Sequence, residues 1–241
     1  MNAFDYHIVT FVNQFARRSW TFDFLVELTT NNYLLRTGLL MALFCWAWFE
    51  IDARTVDRRA TLVFGLIAAS AAILFARVLA FTLPFRERPL RNVDLGFVLP
   101  LSGDRVGIMG WSSFPSDTAV LHFALAACIF AVLRSWGIFA FLHVCVAVGF
   151  GRVYMGFHYP TDVLAGAVIG IAFVSLVQIR PLKAAVTRLP MEWLERRPQA
   201  FYTSSFLALF LVATTFDPLL RIGQFIRMAT AGTVQHLTRL F

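Results

Sequence analysis

Charge is scarce in this sequence. Of its 241 residues only 15% are Asp, Glu, Lys or Arg, against 59% hydrophobic. A soluble domain carries roughly 25% charged and about 45–50% apolar residues. The chain has too few charges to cover a water-facing surface and too much apolar side chain to hide in one core. Disorder is excluded on that ground, an ordinary cytosolic enzyme is not expected, and a bundle of membrane helices is expected instead. Cysteine is scarce too. Cys45, Cys128 and Cys145 all lie in apolar runs without metal-like spacing, so they read as small buried hydrophobes and no metal centre is expected. No basic, apolar, small-residue leader opens the chain, so no cleaved signal is expected. Internal repeats and low-complexity tracts are absent.

Aromatic residues are plentiful. The 26 Phe and 6 Trp suit lipid-facing surfaces and interfacial belts. Lys and Arg exceed Asp and Glu by 21 to 14. In so apolar a chain this excess reads as positive-inside loops and contact with lipid headgroups rather than as nucleic-acid binding.

A membrane span needs about 20 mostly apolar residues. Segments 33–49, 60–83, 117–133, 136–151 and 161–179 come close, and a shorter sixth covers 201–216. The expected fold is therefore all-α, an integral-membrane bundle of about six transmembrane helices. Residues 1–32 mix apolar and polar positions and read as an interfacial or packed helix. The core covers 33–180. Residues 181–241 read as a basic cytoplasmic loop, a last span, and from Asp217 an amphipathic tail carrying Arg221, Arg227 and Arg239.

The loops orient the bundle. Arg54, Arg58 and Arg59 follow the first span, Arg134 follows the third, and Arg180, Lys183, Arg188, Arg196 and Arg197 follow the fifth. With alternating spans these basic loops share one side, which the positive-inside rule makes cytoplasmic. The 84–116 loop and the 152–160 turn then face the periplasm or exterior of a membrane of the bacterial inner kind.

Three stretches on that outer side carry the chemistry. They are Phe85-Arg86-Glu87-Arg88-Pro89 with Arg77 upstream, Ser113-Phe114-Pro115-Ser116-Asp117-Thr118, and Gly151-Arg152 through His158-Tyr159-Pro160-Thr161-Asp162. Arginine, serine and the amides at a helix start suit a phosphate oxyanion. A histidine followed four residues later by a carboxylate suits a nucleophilic imidazole, whose tautomer and cationic form the carboxylate can stabilise.

Together these stretches resemble the type 2 phosphatidic acid phosphatase superfamily, which also includes the vanadium haloperoxidases. The family pattern is Lys-x6-Arg-Pro, Pro-Ser-Gly-His and Ser-Arg-x5-His-x3-Asp over a six-span bundle. The third motif stands here as Arg152-x5-His158-x3-Asp162, with Gly151 in place of the serine, and the resemblance covers roughly residues 60–180. It implies that His158 is the nucleophile that becomes phosphohistidine and that Asp162 orients it. It also implies that Arg88, Arg152 and Ser116 belong to the phosphate-binding set, and Asp117, beside Ser116 at the same helix start, is expected to join them. The alternatives are a buried structural histidine for His158 and interfacial snorkelling for Arg86 and Arg88. Haloperoxidase activity is not expected, because those enzymes are soluble.

Two departures from the pattern bear on the chemistry. The family lysine falls at Phe81. Arg77 lies one turn deeper on the same helix face, and an arginine inside a span normally faces a polar cavity, so Arg77 reads as the substitute phosphate ligand. The family's general-acid histidine falls at Thr118, which cannot protonate a leaving group near neutral pH but can donate a hydrogen bond. His122, one turn further in, reads as a packed, hydrogen-bonded core histidine, with a water-mediated acid as the alternative.

An alcohol leaves as a basic alkoxide unless an acid protonates it, and such help is typically worth about 10²–10⁴-fold. A phosphate leaving group, with a second pKa near about 6, needs no proton. The expected substrate is thus a lipid phosphate or, better, a lipid diphosphate such as a polyprenyl diphosphate. The expected partners are that lipid and the bilayer, with no cofactor and no nucleic acid. A lipid-dependent phosphotransferase and a non-catalytic lipid-phosphate binding or transport protein are the alternatives.

Overall fold

The computed structural model describes residues 1–100 and 111–213. Among these the regular structure is entirely helical. Helices α1 (Ala3–Asn13) and α2 (Trp20–Asn31) begin at Asn2 and Ser19, whose side-chain oxygens accept from the amides of Asp5 and Phe22, the usual signature of an N-cap. A π-helical turn at Leu34–Gly38 leads into α3 (Leu39–Phe49), and α4 (Thr55–Thr82) follows. Next come α5 (Asp117–Val132), α6 (Arg134–Val144) and a second π-helical turn at Cys145–Phe150. The chain continues with α7 (Gly151–Tyr154), α8 (Pro160–Ser175), α9 (Arg180–Arg196) and α10 (Pro198–Ala213).

The chain divides into two compact units, Met1–Glu192 and Trp193–Phe241, and every site residue lies in the first. Three helical stretches are long and apolar enough to cross a membrane: Thr55–Thr82, Arg134–Tyr154 and Pro160–Gln178. The expected spans 33–49 and 117–133 are the shorter apolar helices Leu34–Phe49 and Asp117–Val132. The expected span 201–216 begins on α10 and ends outside the described residues, as does the tail with Arg221, Arg227 and Arg239.

Helix α5 is the hub. It packs against α3, α4, α6 and α8, and its run Thr118–Ala126 is buried throughout. That accounts for a sequence apolar on every face, since a helix without a polar stripe belongs inside. Its contact with α8 runs through Gly166 and Gly170. A Cβ at Gly166 would stand 2.6 Å from the Ser116 carbonyl oxygen, and one at Gly170 would stand 2.3 Å from that of Val120. This spacing of small residues brings the two backbones together. It sets the starts of α5 and α8 side by side, where the Ser116 amide donates to the Asp162 carbonyl at 3.1 Å.

The other end of α4 gathers charge. Arg58 bonds the Glu50 carbonyl at 2.9 Å and pairs with Asp52. Lys183 Nζ reaches Asp57 and Thr61, both at 2.7 Å. The first and third basic loops therefore share an end, the one remote from the site.

Two sequence expectations are corrected. Only Cys128 is buried; Cys45 and Cys145 are exposed, on apolar helices whose outward faces a bilayer would cover. Residues 1–32 form two helices rather than one. Helix α1 contacts α7 and α8, while α2 contacts α7 and both π-helical turns. Val26 of α2 joins Leu90, Tyr154, Met155 and Phe157 in a buried cluster, against which Val12 and Phe97 pack.

Candidate active site

The three stretches singled out in the sequence meet where α4 ends and α5 and α8 begin. The Ser113 amide donates to the Arg86 carbonyl at 2.8 Å, and the Leu90 amide to the Gly156 carbonyl at 3.0 Å. Gly156 has φ +71°, and a Cβ there would stand 2.6 Å from the Phe97 ring. Only glycine suits both the left-handed turn and the close approach. The reversal at Gly156 delivers His158 to the Arg88 stretch.

His158 is 3% exposed. Its Nδ1 lies 2.8 Å from the Ser113 carbonyl oxygen. A carbonyl only accepts, so Nδ1 carries the hydrogen and Nε2 keeps its lone pair. That lone pair faces Arg88 Nη1 at 3.3 Å, and the same Nη1 donates to the Phe157 carbonyl at 2.8 Å. Burial pushes the imidazole below its usual pKa. The hydrogen-bonding influence of Asp162 opposes that shift, and the charges of Arg88 and Arg152 add to it. The ring is therefore neutral at pH 7, the form a nucleophile requires. Burial also lowers the Arg88 pKa, with Asp117 and Asp162 opposing; an arginine so placed stays charged.

Asp162 does not bond His158 directly, as the family pattern implied. Its Oδ2 stands 3.8 Å from Nδ1. The reason is local: at the first turn of α8 this oxygen accepts from the Tyr159 amide at 2.8 Å, capping the helix, and from the Ser113 hydroxyl. Ser113 thus relays one residue to the other, with its hydroxyl on Asp162 and its carbonyl on His158. Sequence reasoning gave Ser113 no role, because a backbone carbonyl leaves no compositional trace.

Arg152, on α7, donates from Nη2 to Thr118 Oγ1 at 2.9 Å. Arg77 reaches across from α4 to pair with Asp117 at 2.7 Å, and it stacks over Trp111 at 4.9 Å. Phe81, where the family lysine would fall, is 74% exposed. Asp117 does not act as a phosphate ligand in this arrangement. Its carboxylate accepts from Arg77 and from the Thr118 amide at 2.7 Å, and its charge interacts with those of Arg77, His158, Arg152 and Arg88. It is an internal counter-anion, and a second anion would be repelled by it. Ser116 is fully buried, and its hydroxyl oxygen accepts from the Ala119 amide at 3.3 Å, so it caps α5.

His122 is also fully buried. Its Nδ1 is 2.7 Å from the Thr118 carbonyl and its Nε2 is 2.9 Å from Thr37 Oγ1. Both ring nitrogens are engaged in the core, which leaves neither for a leaving group. Gly151 stands where the family has serine, and a Cβ there would lie 2.0 Å from Thr30 Oγ1. The hydroxyl of α2 thus fills the space of the missing side chain.

Arg86 is not a snorkelling residue. It pairs with Asp5 at 2.6 Å and with Asp162, and its guanidinium lies 4.2 Å from the centre of the Tyr159 ring. Sequence reasoning missed Asp5; the signal was the one carboxylate of the first helix in a chain poor in charge.

The buried Nε groups of Arg77, Arg88 and Arg152 find no acceptor among the described residues. A buried donor left unpaired costs about 1–3 kcal/mol. Arg88 and Arg152 act on the His158 ring and Arg77 is joined to them through Asp117; guanidiniums so grouped suit a polyanion of several oxygens, such as a phosphoryl group.

Comparison with known proteins agrees with this geometry. Residues 81–184 match the PAP2 superfamily model. The bacitracin transport permease protein BcrC of Bacillus licheniformis is 30% identical over 139 residues, 58% of this chain and 61% of that protein. The putative undecaprenyl-diphosphatase YbjG of Escherichia coli K12 is 29% identical over 133 residues, 55% of this chain and 60% of that protein. The lipid A 1-diphosphate synthase of the same organism is 26% identical over 186 residues, 73% of this chain and 76% of that protein. The chain thus spans about three-fifths of the length of the first two relatives. No solved structure matches it. The family match covers all three stretches that build the site except Arg77, and over that segment the chain is similar to the PAP2 superfamily.

Proposed function

We propose that this protein is an integral-membrane lipid diphosphatase working through phosphohistidine, with its site on the periplasmic or outer face of a roughly six-span bundle. The observation that carries this reading is the His158 ring. Its Nδ1–H is tied to the Ser113 carbonyl and its Nε2 lone pair is turned toward the Arg88 guanidinium, whose buried Nε is a spare donor. Nε2 attacks the terminal phosphorus of the lipid diphosphate. The bond from phosphorus to the bridging oxygen breaks, and the lipid monophosphate leaves with the electron pair. The Nδ1 hydrogen stays on the ring, held by Ser113, and Arg77, Arg88 and Arg152 hold the phosphoryl oxygens. Water then attacks the phosphohistidine, the phosphorus–nitrogen bond breaks, and phosphate departs with the proton of water passing to solvent.

Thr118 supports the choice of a diphosphate. Its hydroxyl oxygen accepts from Arg152, and among the described residues none there supplies an acid. The diphosphate leaving group needs none, because its pKa lies near about 6. One relative is named a putative undecaprenyl-diphosphatase, which agrees with a polyprenyl diphosphate. The second reading is a phosphotransferase that passes the phosphoryl group to another lipid. It is favoured by Thr118, since the residue that would activate water is missing, and by the similarity to a lipid A 1-diphosphate synthase.

Phosphate release from purified protein, across lipid mono- and diphosphates, tests both readings. Release from diphosphates that is lost in His158→Ala is expected. Transfer to an added lipid without release identifies the second reading. Neither release nor transfer from any donor would sink both and leave a binding or transport protein.

A further inference from the structure

Helix α1 lies outside the segment matched by the family model, yet it places a fully buried carboxylate in the site. Asp5 accepts from the Thr161 amide at 2.9 Å, from the Thr161 hydroxyl at 2.7 Å, from Asn2 Nδ2 at 3.1 Å and from Arg86 Nη2 at 2.6 Å. Asp5 and Asp162 are both 0% exposed, and Arg86 bridges them. Two carboxylates against one guanidinium leave this buried group with one net negative charge. Arg86 alone would neutralise Asp162. Shared with Asp5, it does not.

We propose that Asp5 is a positioning residue for the reaction at His158. It draws the Arg86 guanidinium and Thr161 onto α1, holds the start of α8 in place, and leaves Asp162 with the excess negative charge facing the imidazole. This rests on the phosphohistidine reading, because that charge matters when the ring becomes cationic. As Nε2 bonds phosphorus and Nδ1 keeps its hydrogen, the ring gains a positive charge. The groups facing it are Asp162 from α8, Arg88 from the loop after α4, Arg152 from α7 and Asp117 from α5. Two of these are cations that oppose the new charge, so the surplus from the Asp5–Arg86–Asp162 group falls where it is needed. In water such a surplus would be screened, but with both carboxylates fully buried it persists at short range.

The test uses the full-length protein in detergent with farnesyl diphosphate as a soluble probe. Asp5→Asn keeps the size and loses the charge. It is expected to lower kcat about 100-fold, the cost of an Ångström-scale misplacement at a reacting centre, with KM within about threefold. Asp5→Glu should recover at least a tenth of wild-type kcat. NMR titration of the His158 ring gives a readout independent of turnover. Losing a neighbouring negative charge should lower its midpoint by on the order of half a unit. Asp5→Asn within twofold of wild-type kcat overturns the proposal. So does an unmoved His158 midpoint, which would leave Asp5 a fold-holding residue only. His158→Ala with residual turnover above a tenth of wild type sinks the phosphohistidine reading instead, whatever Asp5→Asn does to the titration. If Asp5→Asn unfolds, the Arg86→Gln variant takes its place: it frees both carboxylates and should raise the midpoint, and a midpoint that does not rise overturns the proposal.

Discussion

Replacing Thr118 by histidine restores an acid where the family has one, and the structure sets what else it changes. Thr118 is 4% exposed, and its hydroxyl oxygen is the acceptor for Arg152 Nη2 at 2.9 Å. An imidazole at this position removes that acceptor. Hydrogen bonds to charged groups are worth roughly 1.5–3 kcal/mol, or about 10- to 150-fold in rate at 1.36 kcal/mol per tenfold. That loss falls on mono- and diphosphate substrates alike. The gain does not. A general acid is worth about 10²–10⁴-fold where an alkoxide leaves and little where the leaving group has a pKa near about 6. The absolute rate on a monophosphate could therefore move either way, but the ratio of monophosphate to diphosphate kcat/KM should rise about 10²–10⁴-fold. Thr118→Ala, which loses the contact and adds no acid, should leave the ratio unchanged. The assay is phosphate release from farnesyl monophosphate and farnesyl diphosphate under one set of detergent conditions. A Thr118→His ratio equal to that of Thr118→Ala would refute the leaving-group argument. A ratio that instead collapses in His122→Ala would place the acid one turn deeper, against both engaged nitrogens of that ring.

Other positions make separate claims. Arg88→Ala removes the guanidinium beside His158 Nε2 and should cost about 2–4 kcal/mol of transition-state stabilisation, or about 30- to 1,000-fold in kcat/KM. It should also move the acid limb of the pH profile upward, because Arg88 helps hold the His158 pKa down; Arg88→Ala with wild-type kcat/KM would remove it from the site. Gly170→Ala puts a Cβ 2.3 Å from the Val120 carbonyl oxygen and should lower stability by about 1–3 kcal/mol, read as a fall in Tm. In a background with Cys45 and Cys145 replaced by serine, Val93→Cys, at a residue 91% exposed beside the site, should react with an impermeant thiol reagent in intact cells; labelling of Arg54→Cys instead would invert the topology. Labelling at Gly107 would probe the same loop, although that residue lies outside the described range.

The fold class was legible because lipid removes choices. A chain this poor in charge must satisfy its backbone internally, and helices do so within each segment. Part of the site's assembly was legible too: Arg88 and His158 come together from two separate stretches, and Arg152 of the second reaches Thr118 of the third. Boundaries were less legible. Periodicity does not reveal the π-helical turns at Leu34–Gly38 and Cys145–Phe150, nor that α5, expected as a span, is an apolar helix enclosed by its neighbours. Within the site, sequence reasoning failed wherever the functional atom belongs to the backbone or where charge is shared among distant residues. Ser113 holds His158 by its carbonyl. Asp117, at a helix start, suggests anion binding, but a carboxylate beside Arg77 is itself the anion.

Asp5 shows most clearly why the rest was hidden. A carboxylate at position 5 and an arginine at position 86 share no periodicity and no motif, and only the folded chain brings them within 2.6 Å. Polar residues in an apolar helix are nevertheless a signal in themselves, because an unpaired buried charge is prohibitively costly. Asp5, Asp23 and Arg36 are the buried charges that precede α4, and each reaches a residue near the candidate site or its support. Asp23 accepts from the Tyr154 hydroxyl, and Arg36 donates to the carbonyl of Thr30, whose own hydroxyl abuts Gly151. The first two helices are therefore the mould for the stretch that carries Arg152, His158 and Asp162. A shortened chain that kept only the family segment would keep the motif but lose the residues that shape it.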